Sequence, residues 1–201
     1  MGHGRLIVLS GPSGVGKDTV LQHLFELDPG LRYSVSYTTR APREGEVEGT
    51  SYSFVDRDTF LRMREAGEFL ETATVHGNLY GTAAERVREA VARGDRIVLK
   101  IDVQGAAAVR ASMPEAVLVF LLPPSVEELR LRLRSRDTED EASLARREED
   151  AVRELAEAER YDHRVVNDDV DRAAREILAI VAETPGRNTE SAGSGGEDPD
   201  A

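Results

Sequence analysis

An unbroken apolar run at Arg5–Ser10 is followed, from Lys17 to Leu27, by apolar residues at helical spacing: Val20, Leu21, Leu24 and Leu27. The first pattern predicts a strand covered on both faces. The second predicts an amphipathic helix, which Asp28, Pro29 and Gly30 bring to a stop. The texture changes over residues 33–76. Alternating segments at 33–38, 51–55 and 69–75 are separated by a charged, glycine-containing loop and one short helical stretch near 57–65, which predicts a small β-rich insertion. Helix and strand then alternate again. A helix is expected over 83–93, a buried strand over 96–101, a helix over 106–112 closed by Met113 and Pro114, a buried strand over 116–122, and a helix from Val126 to Leu133. A polar loop over 135–141, a long charged helix over 143–160, a short strand at 164–166 and a last helix over 170–183 complete the pattern. Strands alternating with helices predict an α/β fold, a parallel sheet covered on both faces.

Residues 184–201 are rich in Gly, Ser, Glu and Asp, and such an acidic tail is expected to be disordered because it has little to bury against its ordering entropy. The 201 residues suffice for one domain with a sizeable core. Lysine and arginine number 26 against 38 aspartates and glutamates, a formal charge of −12. That balance argues against a nucleic-acid binder and leaves room for a local phosphate pocket. Cysteine is absent, which excludes disulfides, thiolate metal sites and cysteine nucleophiles. The apolar runs are far too short to span a membrane, and Met1-Gly2-His3-Gly4 reads as neither a signal peptide nor an acylation signal, so a cytoplasmic protein is expected. Only two of the 26 cations are lysines, Lys17 and Lys100. Where lysine persists in so arginine-rich a chain, its compact ammonium is expected to matter, because the two side chains do not interchange at tight sites.

Lys17 belongs to a motif. Gly11-Pro12-Ser13-Gly14-Val15-Gly16-Lys17 matches G-x-x-x-x-G-K between a predicted strand and a predicted helix. Glycines at these positions let backbone N–H groups turn toward an anion, the helix N-terminus adds its positive end, and the lysine reaches the outer phosphates of a nucleotide. The next position normally holds a Ser or Thr hydroxyl for Mg²⁺; here it is Asp18, with Thr19 behind it. Asp18 is accordingly the candidate magnesium ligand, directly or through water.

The phosphate loop alone does not choose a second substrate. The insertion offers candidates: Arg40 and Arg43 lie three apart in a segment stiffened by Pro42, and forked guanidiniums suit a phosphate. Tyr52, Glu71, Tyr80 and Thr82 follow.

Together these pieces resemble the guanylate kinase family from Arg5 to about Glu183: SGPSGVGK (10–17), SVSYTTRAPREGEVEG (34–49), FLE with GNLYGT (69–82), IDVQGA (101–106), PPSVEELRLRL (123–133), SRDTE (135–139) and VVNDD (165–169). The resemblance implies a P-loop parallel core over 4–34 and 83–183, a GMP-binding insertion over 35–82 and a helical lid over 134–146. It implies transfer of the ATP γ-phosphoryl to GMP, and to dGMP, with Mg²⁺ as cofactor. The GMP phosphate would be held by Arg40, Arg43, Tyr52 and Tyr80, and guanine read by Ser36, Glu71, Thr82 and Asp102. ATP would sit on the loop from Gly11 to Thr19 with Asn167 near adenine. Arg132, Arg136 and Arg147 would join Lys17 around the transferring phosphates. The chemistry of Glu71 agrees, since guanine presents N1–H and N2–H₂ donors side by side where adenine presents an acceptor at N1.

Three positions depart from the family pattern. Gly-Arg-Gly-Thr of the lid reads Ser135-Arg136-Asp137-Thr138, Asp18 replaces the hydroxyl residue, and Lys100 stands where the family usually has an acid. Asp18 and Lys100 are expected to face each other as a coupled exchange of charge. Two other functions share much of the pattern: ribose 1,5-bisphosphate kinase, whose loop also carries Gly-Lys-Asp, and the guanylate-kinase-like binding modules, which have lost ATP.

Overall fold

The computed structural model describes residues 4–75, 77–134 and 141–183. The core opens with β1 (Arg5–Ser10), α1 (Lys17–Leu27) and β2 (Leu31–Tyr33). The insertion follows as β3 (Tyr37–Thr38), β4 (Ser53–Phe54), α2 (Arg57–Glu65), β5 (Phe69–Val75) and β6 (Asn78–Ala83). The core resumes with α3 (Ala84–Ala92), β7 (Arg96–Lys100), α4 (Val103–Ser112), β8 (Val117–Leu122) and α5 (Val126–Arg134). It closes with α6 (Glu141–Ala156), a 3-10 turn at Glu157–Arg160, β9 (His163–Val166) and α7 (Val170–Glu183).

The core strands form a five-stranded sheet in the order β2-β7-β1-β8-β9, every pair parallel. Alternation along β1 divides its side chains between two cores, as helices on both faces require. Ile7 and Leu9 pack with Val20 and Leu24 of α1, Leu129 and Leu133 of α5, and Ile177 of α7. Leu6 and Val8 pack with Val87 of α3 and Ala106 and Val109 of α4. Since all strands run the same way, their carboxyl ends share one edge, where such sheets bind ligands. The register pairs Leu9 with Lys100, so the phosphate loop and Lys100 leave that edge side by side.

The insertion carries a second sheet, ordered β4-β3-β6-β5. Two expectations change here. The single strand predicted over 33–38 is split: Tyr33 pairs with Val98 in the core, whereas Tyr37 pairs with Gly81 in the insertion. Period-two alternation marks extended chain, and says nothing about which sheet the chain joins. No strand is predicted over 78–83, where β6 lies. Yet Gly81 is a strand residue chosen for space: a Cβ there would lie 2.9 Å from Phe69 and 3.0 Å from Phe60, whose rings stack at 4.5 Å. Helix α4 also starts earlier than predicted, because Asp102 caps it by accepting the Gly105 N–H at 2.8 Å. The tail at 184–201 and residues 135–140 of the lid, including Arg136, lie outside the described residues; the rest of the lid is the end of α5 and the start of α6.

Candidate active site

The loop after β1 is built on glycines in backbone conformations other residues rarely adopt. Gly14 and Gly16 have φ of 80° and 97°. At Gly16 a Cβ would stand 2.5 Å from the Asn167 amide nitrogen, so the close packing of the loop on β9's end also demands glycine. Lys17 folds back over the loop and donates to the carbonyls of Gly11 at 2.6 Å and Pro12 at 2.9 Å. Burial pushes its ammonium down to about 8, against the pull of Glu154, Asp18 and Asp102 and with a push from Lys100.

Two cavities flank this loop. One, of about 220 Å³, is lined by Gly14, Gly16, Thr19, Arg132, Asn167, Asp168 and Val170. Asn167 is buried, donates to the Val15 carbonyl at 2.8 Å, and has a side-chain oxygen with no hydrogen-bond partner among the described residues. Arg132 reaches the Val15 and Asn167 carbonyls at 3.3–3.4 Å, so it belongs to this side. The other cavity, of about 320 Å³, lies between the loop and the insertion. It brings together Gly11, Ser13 and Lys17 from the loop, Ser36, Tyr52, Glu71 and Tyr80 from the insertion, and Lys100 and Asp102 from the core edge. Arg147 lines a wider cleft next to it with Ser13, Asp102 and Glu154.

Glu71 is only 6% exposed. The Thr82 hydroxyl, on the neighbouring strand, donates to it at 2.6 Å. Burial raises its carboxyl to about 7, the Thr82 hydrogen bond works against that rise, and the charge of Asp102 adds to it. Helix α4 closes over this group at Gly105, where a Cβ would come within 2.9 Å of the Glu71 oxygen. Leu70 and Glu71 are consecutive and both buried, which a regular strand facing one core does not allow. The register of β5 on β6 shifts between Phe69 and Glu71, and that irregularity re-aims the carboxylate into the cavity.

At the other end of the same cavity the rings of Tyr52 and Tyr80 meet at 5.9 Å, with the Arg40 guanidinium 5.4 Å from the Tyr52 ring centre. Arg40 donates to Glu46 at 2.7 Å, and Arg43, exposed, gives its backbone N–H to the same carboxylate at 2.7 Å. A second carboxylate does likewise on the loop: Glu154 of α6 accepts the Ser13 N–H at 3.1 Å. Burial lifts its carboxyl above the usual range in spite of that hydrogen bond. Both acids thus occupy groups suited to phosphate. Sequence reasoning missed them. Glu46 lay inside a quoted motif without a role, and Glu154 is one acid among many on a charged helix.

Asp18 and Thr19 part company: Thr19 lines the smaller cavity, while Asp18 forms an ion pair with Lys100. The expected facing of the two departures is present. Among the described residues no helix is long and apolar enough to cross a membrane.

The comparisons with known proteins agree with this geometry. A family model described as guanylate kinase matches residues 3–184. The chain is 49% identical over 181 residues to a guanylate kinase of Rubrobacter xylanophilus, covering 90% of this chain and 95% of that protein. It is 50% identical over 186 residues to one of Nocardia farcinica, covering 92% and 96%. The crystal structure of guanylate kinase from Anaplasma phagocytophilum superposes with a TM-score of 0.74 at 40% identity, covering 90% of this chain and 86% of that one. With the phosphate loop, the buried carboxylate and the insertion sheet in place, this chain belongs to the guanylate kinase family.

Proposed function

We propose that this chain carries out its family's reaction, transfer of the γ-phosphoryl of ATP to GMP and dGMP, and that the residues around the two cavities divide the work as follows. The observation that carries the reading is Glu71, buried, held by Thr82, and sharing one cavity with Lys17. A buried carboxylate facing guanine accepts from N1–H and N2–H₂ together; facing adenine it would meet a lone pair, and an unpaired buried charge is costly. Ser36, Thr82 and Asp102 complete the edge. Arg40, Arg43, Tyr52 and Tyr80 take the acceptor phosphate, which displaces Glu46 from Arg40.

On the donor side the loop N–H groups and Lys17 receive the β- and γ-phosphates, displacing Glu154 from Ser13. The partnerless oxygen of Asn167 suits the exocyclic amino group of adenine. Arg132, on that same side, braces the loop through its carbonyl contacts, and Arg147 and Arg136 complete the charge around the transfer. Among the described residues no group of three or more acids and histidines could hold a metal alone. That fits magnesium in a kinase, which takes one or two carboxylates and fills its remaining positions with phosphate oxygens and water. Asp18, ion-paired with Lys100 at the start of α1, is the carboxylate that would hold it, directly or through water, and magnesium would supply neutralising charge to the phosphates. Catalysis is positioning plus charge stabilisation, with no covalent intermediate on the protein. The setting is the cytoplasm.

ADP release with GMP, dGMP, AMP and ribose 1,5-bisphosphate as separate acceptors tests the reading. Turnover is expected with the first two and background with the others. Turnover of the pentose alone would make the chain a ribose bisphosphate kinase, and no turnover at all a binding module. Glu71→Ala is expected to cut kcat/KM for GMP by two or more orders of magnitude, roughly 3 kcal/mol, with the KM for ATP nearly unchanged. An equal loss on ATP would make Glu71 a folding residue.

A further inference from the structure

Among the 26 cations of this chain the two lysines stand apart: both line the cavity between the phosphate loop and the acceptor grips. Lys17 enters from the start of α1. Lys100 enters from the end of β7, one strand over, and the tyrosines at 52 and 80 line the same space. We propose that Lys100 is a catalytic residue: its ammonium binds non-bridging oxygens of the phosphoryl group as that group passes from ATP to GMP, and Asp18 is the positioning residue that holds it there. The inference rests on the acceptor and donor sites assigned above.

The ion pair itself is lopsided. The Lys100 side chain is 23% exposed and that of Asp18 71%. A pair made for stability alone would contribute little at such an exposed carboxylate, and would give no reason to draw the ammonium into the cleft. The charge inventory gives the reason. Arg40 holds the acceptor phosphate and Lys17 the donor phosphates, two anions brought into one space. In the reaction an oxygen of the GMP phosphate forms a bond to the γ-phosphorus. The bond from that phosphorus to the β,γ-bridging oxygen breaks, its electron pair leaves with ADP, and the acceptor dianion needs no base. The negative charge spread over the three equatorial oxygens lies between the two holding groups, in the space Lys100 lines. An ammonium with three rotatable donors can follow oxygens that move from one seat to the other, whereas a planar guanidinium is matched to a fixed pair. The mutual repulsion of Lys17 and Lys100 fits two cations sharing one anion's site.

Kinetics and calorimetry on the full chain decide the matter. Lys100→Gln is expected to lower kcat on GMP at least 100-fold with both KM values within about threefold, the pattern of a contact made in the transition state. Lys100→Met should behave alike and serves if the glutamine variant folds poorly. A bisubstrate with adenosine and guanosine joined through five phosphates, bound in EDTA, should lose tenfold or more in affinity on either change. In that same EDTA assay, where the loss of a magnesium carboxylate does not enter, Asp18→Asn should cost the bisubstrate far less affinity than Lys100→Gln. The double variant Asp18→Asn, Lys100→Gln should bind it as weakly as Lys100→Gln. A double variant restored to the level of Asp18→Asn would show that Lys100 only neutralises Asp18, and overturns the proposal. So does a Lys100→Gln enzyme with kcat within threefold of wild type, or with unchanged bisubstrate affinity. A wild-type chain that leaves GMP untouched would instead strike at the acceptor reading, since the Lys100 test is scored only against an active wild type.

Discussion

Glu71 titrates near neutrality because burial opposes its charge more than the Thr82 hydroxyl supports it. Its folded pKa of about 7 exceeds the ordinary 4.5, so without ligand its contribution to stability is present below about pH 4.5 and is lost as pH rises through about 7. On the proposed reading guanine would reverse the preference, since its paired donors require the ionised form. Guanosine has no phosphate to titrate, and its affinity should fall about tenfold from pH 8 to pH 6 when followed by calorimetry. Glu71→Gln should bind weakly and without that slope; a slope retained in the glutamine variant would assign the proton elsewhere. Glu154 gives a prediction of opposite sign. On the proposed donor site its carboxylate would compete with phosphate for the Ser13 N–H, so Glu154→Gln should bind ATP tighter, by about fivefold for a hydrogen bond of ~1 kcal/mol. Weaker binding would mean that Glu154 supports the loop and does not compete for it.

Elements bring these residues within reach, and their junctions are tight. Helix α4 begins at the Asp102 cap and passes so close to β5 that Gly105 has no room for a methyl group beside the Glu71 oxygen. Gly105→Ala must therefore displace the carboxylate or the helix. GMP affinity is expected to drop tenfold or more while ATP affinity stays within twofold, since the loop and the smaller cavity lie elsewhere. Equal losses on both would show the helix moving the whole edge. Periodicity carried most element positions: β1, α1, α2, β5 and α7 stand where hydrophobic spacing placed them. Where it failed in the insertion, a second sheet was the cause, and at α4 it was the Asp102 cap. In β6 and at Gly81 the residue type reflects the aromatic rings facing it, which are distant in sequence.

Across the whole molecule the first and last core helices are tied on one face of the sheet. His23 of α1 bridges Asp171 of α7 and Glu26 of its own helix, each at 3.0 Å. Hydrogen bonds accepted by Asp171 and, next, by Glu26 raise the imidazole above its usual pKa. A raised histidine contributes stability that is fully present below its unfolded pKa of about 6.5 and is lost as pH rises through the folded value. His23→Ala should therefore lower Tm measurably at pH 6 and hardly at all at pH 9. A deficit that does not shrink with pH would point to lost packing between the helices. On the same scale, a chain that carries −12 brings both of its lysines into one cavity.

The linear chain determined the parallel α/β core, the phosphate loop and the family, because these rest on local signals: runs, periods, and glycines at fixed spacing before a lysine. It also pointed to the Asp18 and Lys100 exchange, since each stood out in its own motif. Tertiary structure alone decided which acids meet the Ser13 N–H and the Arg40 guanidinium. Glu154 meets Ser13 across 141 positions and Glu46 turns back on Arg40, contacts that no local pattern marks among 38 acids. It alone decided that Arg132 serves the smaller cavity and Lys100 the larger. Which cavity a side chain enters depends on strand order and helix approach, and in this fold those are set by pairings between segments far apart in the chain.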